Sequence, residues 1–520
     1  MKKKSHALAY MRKKQYFCRR NIKSVKMRLT MKKILTGIVS FFLLAGASAL
    51  RAENIGVPAE CEDVMLQAFY WNSYQMSSKY GCTLWAYLTR DSAAINANFD
   101  LVWLPPSANS KGGGVGYYHY KLSDQNSEWG AKSKLTKLIK ALHLGGTKVI
   151  ADIVINHRKD SSWCSFTADN FGEGYGSFHL ETKHICRYDE CFWSDEAKVS
   201  SPCYEAPFEN RGAEDTGEND GGCRDLDHTN PYVQDWAKAY VRWMLEKMQY
   251  DGFRYDMTRG YAGQYLGMYN EEAKPYFSVS EFWLDVNSIA DHLAATGYNT
   301  MVFDFPLKWD LNDAFKGKNA NYGKLKGLES TLRGKGLAKY AVTFVDNHDT
   351  FDRDNNCEFA GDDANLDSPD IKNKILQANA YILMMPGVPC VFYPHWKKYG
   401  EAINALIAVR KLAGIHSESM VSDEVGSTTK KYYSAVIQGH RGKIMLYVGP
   451  KRPTTIPEGY HLAMEGAEYG SDFTIYVSDD VQAVEEVSAP RKGKKFMKDG
   501  QLYILYEGRM YDVLGREVKE

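Results

Sequence analysis

Arg254 and Asp256 lie two residues apart in DGFRYDMTRG, residues 251–260, inside an apolar run that reads as a buried strand. Strand residues two apart point to the same face, so a guanidinium and a carboxylate leave the strand side by side. A fixed cation favours the ionised carboxylate and lowers its pKa. Such an immobilised anion is what nucleophilic attack on a glycosidic carbon requires. A structural ion pair would look the same at this level, because buried networks shift pKa values without doing chemistry. Other segments weigh on that choice. Asp152, Asn156 and His157 close one apolar run, Glu281 a second, and Asn347, His348 and Asp349 a third.

These side chains need elements that carry them to one place. Eight short apolar runs recur: VMLQAFYW (64–71), FDLVWLPP (99–106), KVIADIVINH (148–157), GFRYDM (252–257), FSVSEFW (277–283), TMVFDFPL (300–307), YAVTFVDNHD (340–349) and GVPCVFYP (387–394). Helix-period segments such as SKLTKLIKALHLGG and PYVQDWAKAYVRWMLEKM separate most of them. Pro231 suits a first helical turn and Gly145-Gly146 a helix end. Apolar strands alternating with helices imply a parallel sheet covered on both faces. Eight such units predict an α/β fold, a closed (β/α)8 TIM barrel. Working residues of such barrels collect at the C-terminal strand ends, where the polar residues above fall.

Two stretches break the alternation. Residues 158–225 are rich in Gly, Ser, Asp and aromatics and hold five cysteines, without a sustained period. A structureless loop of that length is improbable inside a compact barrel, so it reads as a loop-rich domain inserted after strand three. Beyond about residue 416, KKYYSAVIQ, GKIMLYVG and DFTIYVS alternate like antiparallel strands of a C-terminal β-sandwich domain. The expected division is an N-terminal extension and signal peptide (1–52), a barrel in two parts (53–157 and 226–415), the insert (158–225), the β domain (416–481) and a linker with a tail (482–520).

In order and spacing, ADIVINHR, GFRYDMTRG, SEFW and FVDNHD resemble the four signature segments of family 13 glycoside hydrolases, the α-amylase family. The resemblance runs from about residue 62 to GIHSES near 415, includes GGVGYYHY, DLDHTNP and PGVPCVFY, and is closest to the plant-like branch. It implies an endo-acting α-amylase that hydrolyses α-1,4-glucosidic bonds of starch or glycogen with retention. Asp256 would be the nucleophile, Glu281 the acid and then the base, and Asp349 the carboxylate that stabilises the transition state. Glu281 must then hold a proton, and the Asp256 anion pushes its pKa upward. His157 and His348 would donate to sugar hydroxyls, Tyr117 would stack beneath the ring, and Arg254, Arg259 and Trp283 would complete the contacts. The resemblance also implies a structural Ca2+ held by Asn156, Asp225 and the carbonyl of Gly260, oxygen ligands that suit a hard cation. The lesser alternative for Asp225 is a turn or cap residue before the helix at Pro231, and Asp152 would hydrogen-bond from behind. Arg259 departs from a commoner lysine and Ser280 from a commoner glycine. Transglycosylases and exo-acting α-glucosidases use the same machinery, so both stay open beside the endo-hydrolase. A starch-binding protein on a degraded barrel would have lost a carboxylate, and Asp256, Glu281 and Asp349 are all present.

Composition bounds the partners. A quarter of the 520 residues are charged yet the formal net charge is +1, which gives no reason to expect nucleic acid. An α-glucan bound by a monomer is the expectation. MKKILTGIVSFFLLAGASALRA, from Met31, has the basic, apolar and small-residue parts of a secretory signal, and its apolar run is too short to span a bilayer comfortably. The tail KDGQLYILYEGRMYDVLGREVK reads as two short strands around turns, either a last hairpin of the β domain or a sorting tail. As the latter it resembles C-terminal signals of the type IX secretion pathway. An exported chain can hold disulfides. Nine of the ten cysteines follow the apolar run; the family resemblance of PGVPCVFY implies that Cys390 is a buried thiol, and setting it aside predicts up to four bridges.

Overall fold

The computed structural model describes residues 55–110, 115–160, 165–187, 211–218, 223–316, 320–326, 329–351, 371, 374–422, 431–450 and 455–481, together with four strands between 494 and 518. The signal segment and Cys164, Cys191, Cys203 and Cys357 lie outside the described residues.

Each apolar run supplies one barrel strand: β1 (Met65–Gln67), β2 (Leu101–Trp103), β3 (Lys148–Ile153), β4 (Gly252–Tyr255), β5 (Phe277–Ser280), β6 (Met301–Phe303), β7 (Ala341–Phe344) and β8 (Val388–Phe392). They pair in parallel in chain order, and β8 closes on β1. Every strand residue except Lys148 is buried. The strands therefore show no polar alternation, because side chains on one face fill the barrel and those on the other meet helices. The register sets Arg254 beside Asp152 across β4 and β3.

The covering helices are α1 (Leu84–Asn96), α2 (Lys132–His143), α3 (Pro231–Glu246), α4 (Gly263–Ala273), α5 (Val286–Ala295), α6 (Phe305–Phe315), α7 (Ile375–Met384) and α8 (Tyr393–Ala413). Helix α2 buries Leu135, Leu138, Ile139 and Leu142, one stripe at helical spacing. Helix α3 starts where Pro231 follows Asn230, whose side chain accepts from the Tyr232 N–H; both are favoured at a helix start.

The described residues of the insert form paired strands. His157–Arg158 pair antiparallel with Arg224–Asp225 and form its neck, while Asp169–Gly172 and Gly176–Phe178 form a hairpin. Buried Asp169 accepts from Arg158 of the neck and from the Trp236 indole of α3. The Trp236 indole thus ties this fully buried pair, and with it the insert, to α3.

The C-terminal domain is a five-stranded antiparallel sheet of β9 (Met420–Ser422), β10 (Tyr433–Gln438), β11 (Lys443–Val448), β12 (Tyr460–Glu465) and β13 (Phe473–Ser478), in the order β9-β10-β11-β13-β12. Along β11, Ile444, Leu446 and Val448 join the main core while Met445 and Tyr447 join a second cluster. This is the period-two alternation read from GKIMLYVG. The last residues form four antiparallel strands in a sheet of their own, not a two-stranded hairpin added to the β domain. Among the described residues no helix is long and apolar enough to cross a membrane.

The set of four disulfides needs correction. Cys61 and Cys82 carry free thiols, so eight cysteines do not pair among themselves. Cys61 sits in the core before β1, where it acts as a small apolar residue. Cys390 is a buried thiol, as expected.

Candidate active site

The end of β4 makes a strained turn. Met257 has φ +44°, a left-handed conformation rare for a side-chain-bearing residue that persists only where the surrounding structure holds it. The turn aims the Met257 N–H at Glu281 Oε2, 2.9 Å away. Thr258 donates its hydroxyl to the Glu281 carbonyl at 2.6 Å, and the Glu281 N–H donates to Tyr255 at 3.0 Å. The ends of β4 and β5 are thereby stapled together.

Arg254 sits beneath this turn, 1% exposed. Its Nη1 donates to Asp256 Oδ1 at 2.7 Å and to Asp152 Oδ1 at 2.8 Å, and its Nη2 lies 2.8 Å from Glu281 Oε2. One guanidinium thus gathers three carboxylates from three strand ends. Glu281 Oε1 accepts from the Trp283 indole at 2.8 Å. Asp256 has Arg254 as its only donor among the described residues.

One expectation needs correction: burial outweighs the pull of Arg254, which is shared among three carboxylates. Burial pushes Asp256 well above the usual carboxylate range; Arg254 opposes this, and the charges of Glu281 and Asp152 add to it. Burial likewise raises Asp152 to about 6 against the pull of Arg254. Three buried acids around one cation form a coupled set.

A directed chain of hydrogen bonds borders the cluster. The Gln67 amide donates to His348 Nδ1 at 3.0 Å, which leaves the proton on Nε2. That nitrogen lies 2.7 Å from the Tyr117 hydroxyl, which donates to Asp152 Oδ2 at 3.0 Å. His348 Nε2 is also 3.2 Å from Asp349. His157 Nε2 donates to the Tyr117 carbonyl at 3.0 Å.

A cavity of about 350 Å3 opens above these groups. Its lining brings together Asp256, Glu281, Asp349, Tyr117, His157, Arg259, Trp283 and His348. Arg254 alone of the predicted catalytic and sugar-contact residues lies below the floor. Sequence reasoning missed Trp71, which stacks on Tyr117 with ring planes 7° apart. Its signal was available, since Trp71 ends the first apolar run as polar residues end the others. Ser280, the departure from the commoner glycine, donates to the Met301 carbonyl and meets His292 of α5. It ties β5 to its neighbours.

The predicted metal ligands meet at the neck. Asn156 Nδ2 donates to Asp225 Oδ1 at 3.1 Å, and Asn156 Oδ1 is buried without a hydrogen-bond partner. Gly260 lies so close that an added Cβ would fall 2.1 Å from that oxygen. A buried amide oxygen left without a donor, beside a carboxylate, fits a hard cation.

The fold and its acidic mouth define a barrel glycoside hydrolase. A profile of the alpha amylase catalytic domain matches residues 96–420. Probable alpha-amylase 2 of Arabidopsis thaliana is 30% identical over 397 residues, 72% of this chain and 86% of that protein. The chloroplastic alpha-amylase 3 of the same plant is 28% identical over 428 residues, 78% of this chain; the chain spans 44% of that relative's length. The gamma-CGTase of alkalophilic Bacillus clarkii matches with a TM-score of 0.60 at 13% identity, over 89% of this chain and 83% of that one, a likeness of fold alone. The chain belongs to the α-amylase family, on its plant-like branch.

Proposed function

We propose that the chain is an exported, retaining, endo-acting α-amylase that hydrolyses α-1,4-glucosidic bonds of starch, glycogen and maltooligosaccharides. The observation that carries this reading is the single guanidinium of Arg254 holding Asp256 and Glu281 together on the pocket floor. Retention needs two carboxyl groups about 5 Å apart, and sharing one planar cation keeps them adjacent.

In the first step an Asp256 oxygen bonds the anomeric carbon while the glycosidic oxygen departs with a proton from Glu281. In the second, Glu281 takes a proton from water, whose oxygen displaces Asp256 and restores the starting anomer. Glu281 accepts from two N–H groups and faces Arg254, while burial pushes the Asp256 carboxyl up. The positive charge that develops on the sugar in the transition state favours ionised Asp256. Asp349 would bind hydroxyls of the same sugar, and His157, His348 and Tyr117 would orient it.

Asn156, Asp225 and the Gly260 carbonyl would hold Ca2+, which when bound ties the neck of the insert to the loop after β4. The long insert and the plant-like branch support endo-hydrolysis over the exo and transfer readings. The signal-like segment at 31–52 and the tail support export.

Incubation with amylose tests the reading. Chain length should collapse while few reducing ends have formed. Steady release of glucose would mark an exo-enzyme, and longer or cyclic products a transferase.

A further inference from the structure

The insert reaches the mouth through a short segment that the chemistry above does not use. Gly217 lies against the loop after β4 so closely that an added Cβ would fall 2.3 Å from the Arg259 carbonyl oxygen. The Glu218 N–H donates to that same carbonyl at 2.8 Å, and the Ala262 N–H donates to the Thr216 hydroxyl at 3.1 Å. Only glycine allows this approach, so backbone docks on backbone and Glu218 emerges beside Arg259. Glu218 Oε2 lies 3.3 Å from Arg259 Nη1, and the same nitrogen donates to the Trp283 carbonyl at 3.4 Å. Trp283 in turn donates its indole N–H to Glu281. Arg259 is therefore strung between the insert and the residue that contacts the acid.

We infer that Glu218 is a positioning residue for the acceptor side of the cleft: it holds Arg259 against Trp283 and so sets how the departing glucan chain is gripped. This rests on the proposed function, because the side on which Glu281 protonates the leaving oxygen is the side where that chain lies. Arg259 has many rotamers when free. Two anchors leave its guanidinium pre-organised for sugar hydroxyls, and fewer rotamers remain to be lost on binding.

The test compares two substrates. Maltoheptaose places sugars on the acceptor side, whereas an aryl α-maltotrioside has only a phenol there. In Glu218→Gln, the ratio of kcat/KM for maltoheptaose to that for the aryl glycoside should fall about fivefold, the upper range for a part-exposed ion pair. Most of the change should appear in KM. Arg259→Gln should lower the ratio at least as far, and the double variant should match Arg259→Gln alone. An unchanged ratio, equal losses on both substrates, or full additivity in the double variant would overturn the inference. If the wild-type chain cleaves neither substrate, the proposed function falls first and takes this with it.

Discussion

Two arginines are buried at opposite ends of the barrel, and their surroundings differ in kind. Arg254 lies under the mouth among the carboxylates of Asp152, Asp256 and Glu281. Arg410, in α8, lies at the base and donates to the carbonyls of Leu383, Met385 and Gly387 at 2.8 Å each. Burial pulls both guanidinium pKa values down. The anions around Arg254 reverse that and leave it well above its ordinary value, whereas Arg410 falls to about 10. A buried cation among fixed carbonyls closes helix and strand ends. A buried cation among acids makes their charges interdependent. The partners, not the burial, set the two arginines apart.

Exchanging each arginine for methionine should separate the two regions most strongly. Arg254→Met should cut starch hydrolysis roughly 10²–10³-fold, comparable to losing one pre-organised catalytic donor. Arg410→Met should leave kcat of the folded protein unchanged. Its cost should be stability, about 1–3 kcal/mol for each buried carbonyl left without a donor. Denaturant titration beside activity assays checks both, and a similar pattern in the two variants would break the comparison.

Chelation probes the mouth from the insert. Removing Ca2+ should lower Tm, since a site at 100-fold saturation contributes about 2.7 kcal/mol. An unchanged melting curve would remove the ion from the account.

Proton exchange sharpens the contrast further. Asp152 contributes a like charge that raises Asp256. Asp152→Asn should therefore lower the Asp256 pKa and move the acid limb of kcat/KM to lower pH; a limb displaced upward would contradict the coupling.

The smallest effect belongs to the base. Hydrogen bonds first to Glu62 and then to Glu60 hold His440 above its ordinary value. A raised folded-state pKa gives stability that is full below the unfolded value and fades as pH rises through the folded one. His440→Ala should accordingly destabilise the protein more at about pH 5.5 than at about pH 9. Equal losses at both would show the ion pairs to be inert.

Much of this was legible from residues alone. The eight strands were readable because continuous burial leaves unbroken apolar runs, and the polar residues ending those runs marked the mouth. The neighbourhood of Arg254 was only half readable. Arg254 and Asp256 are two apart in sequence, but Asp152 and Glu281 reach the same guanidinium through strand register, which spacing along one strand does not reveal. The insert was opaque for another reason. Its neck joins residues 157–158 to 224–225, and its contact with Arg259 depends on the bare Cα of Gly217. Neither leaves a periodic trace. Cys61 misled because a thiol in the core and a thiol awaiting a bridge are written with the same letter.

The assignment of Asp256 is tested most directly by trapping the sugar on the protein. A glycosyl fluoride slowed at the second step, incubated with wild type or Glu281→Gln, should add one glycosyl mass to the peptide that contains Asp256. The same adduct on Glu281, or no adduct together with release of the inverted anomer, would contradict it.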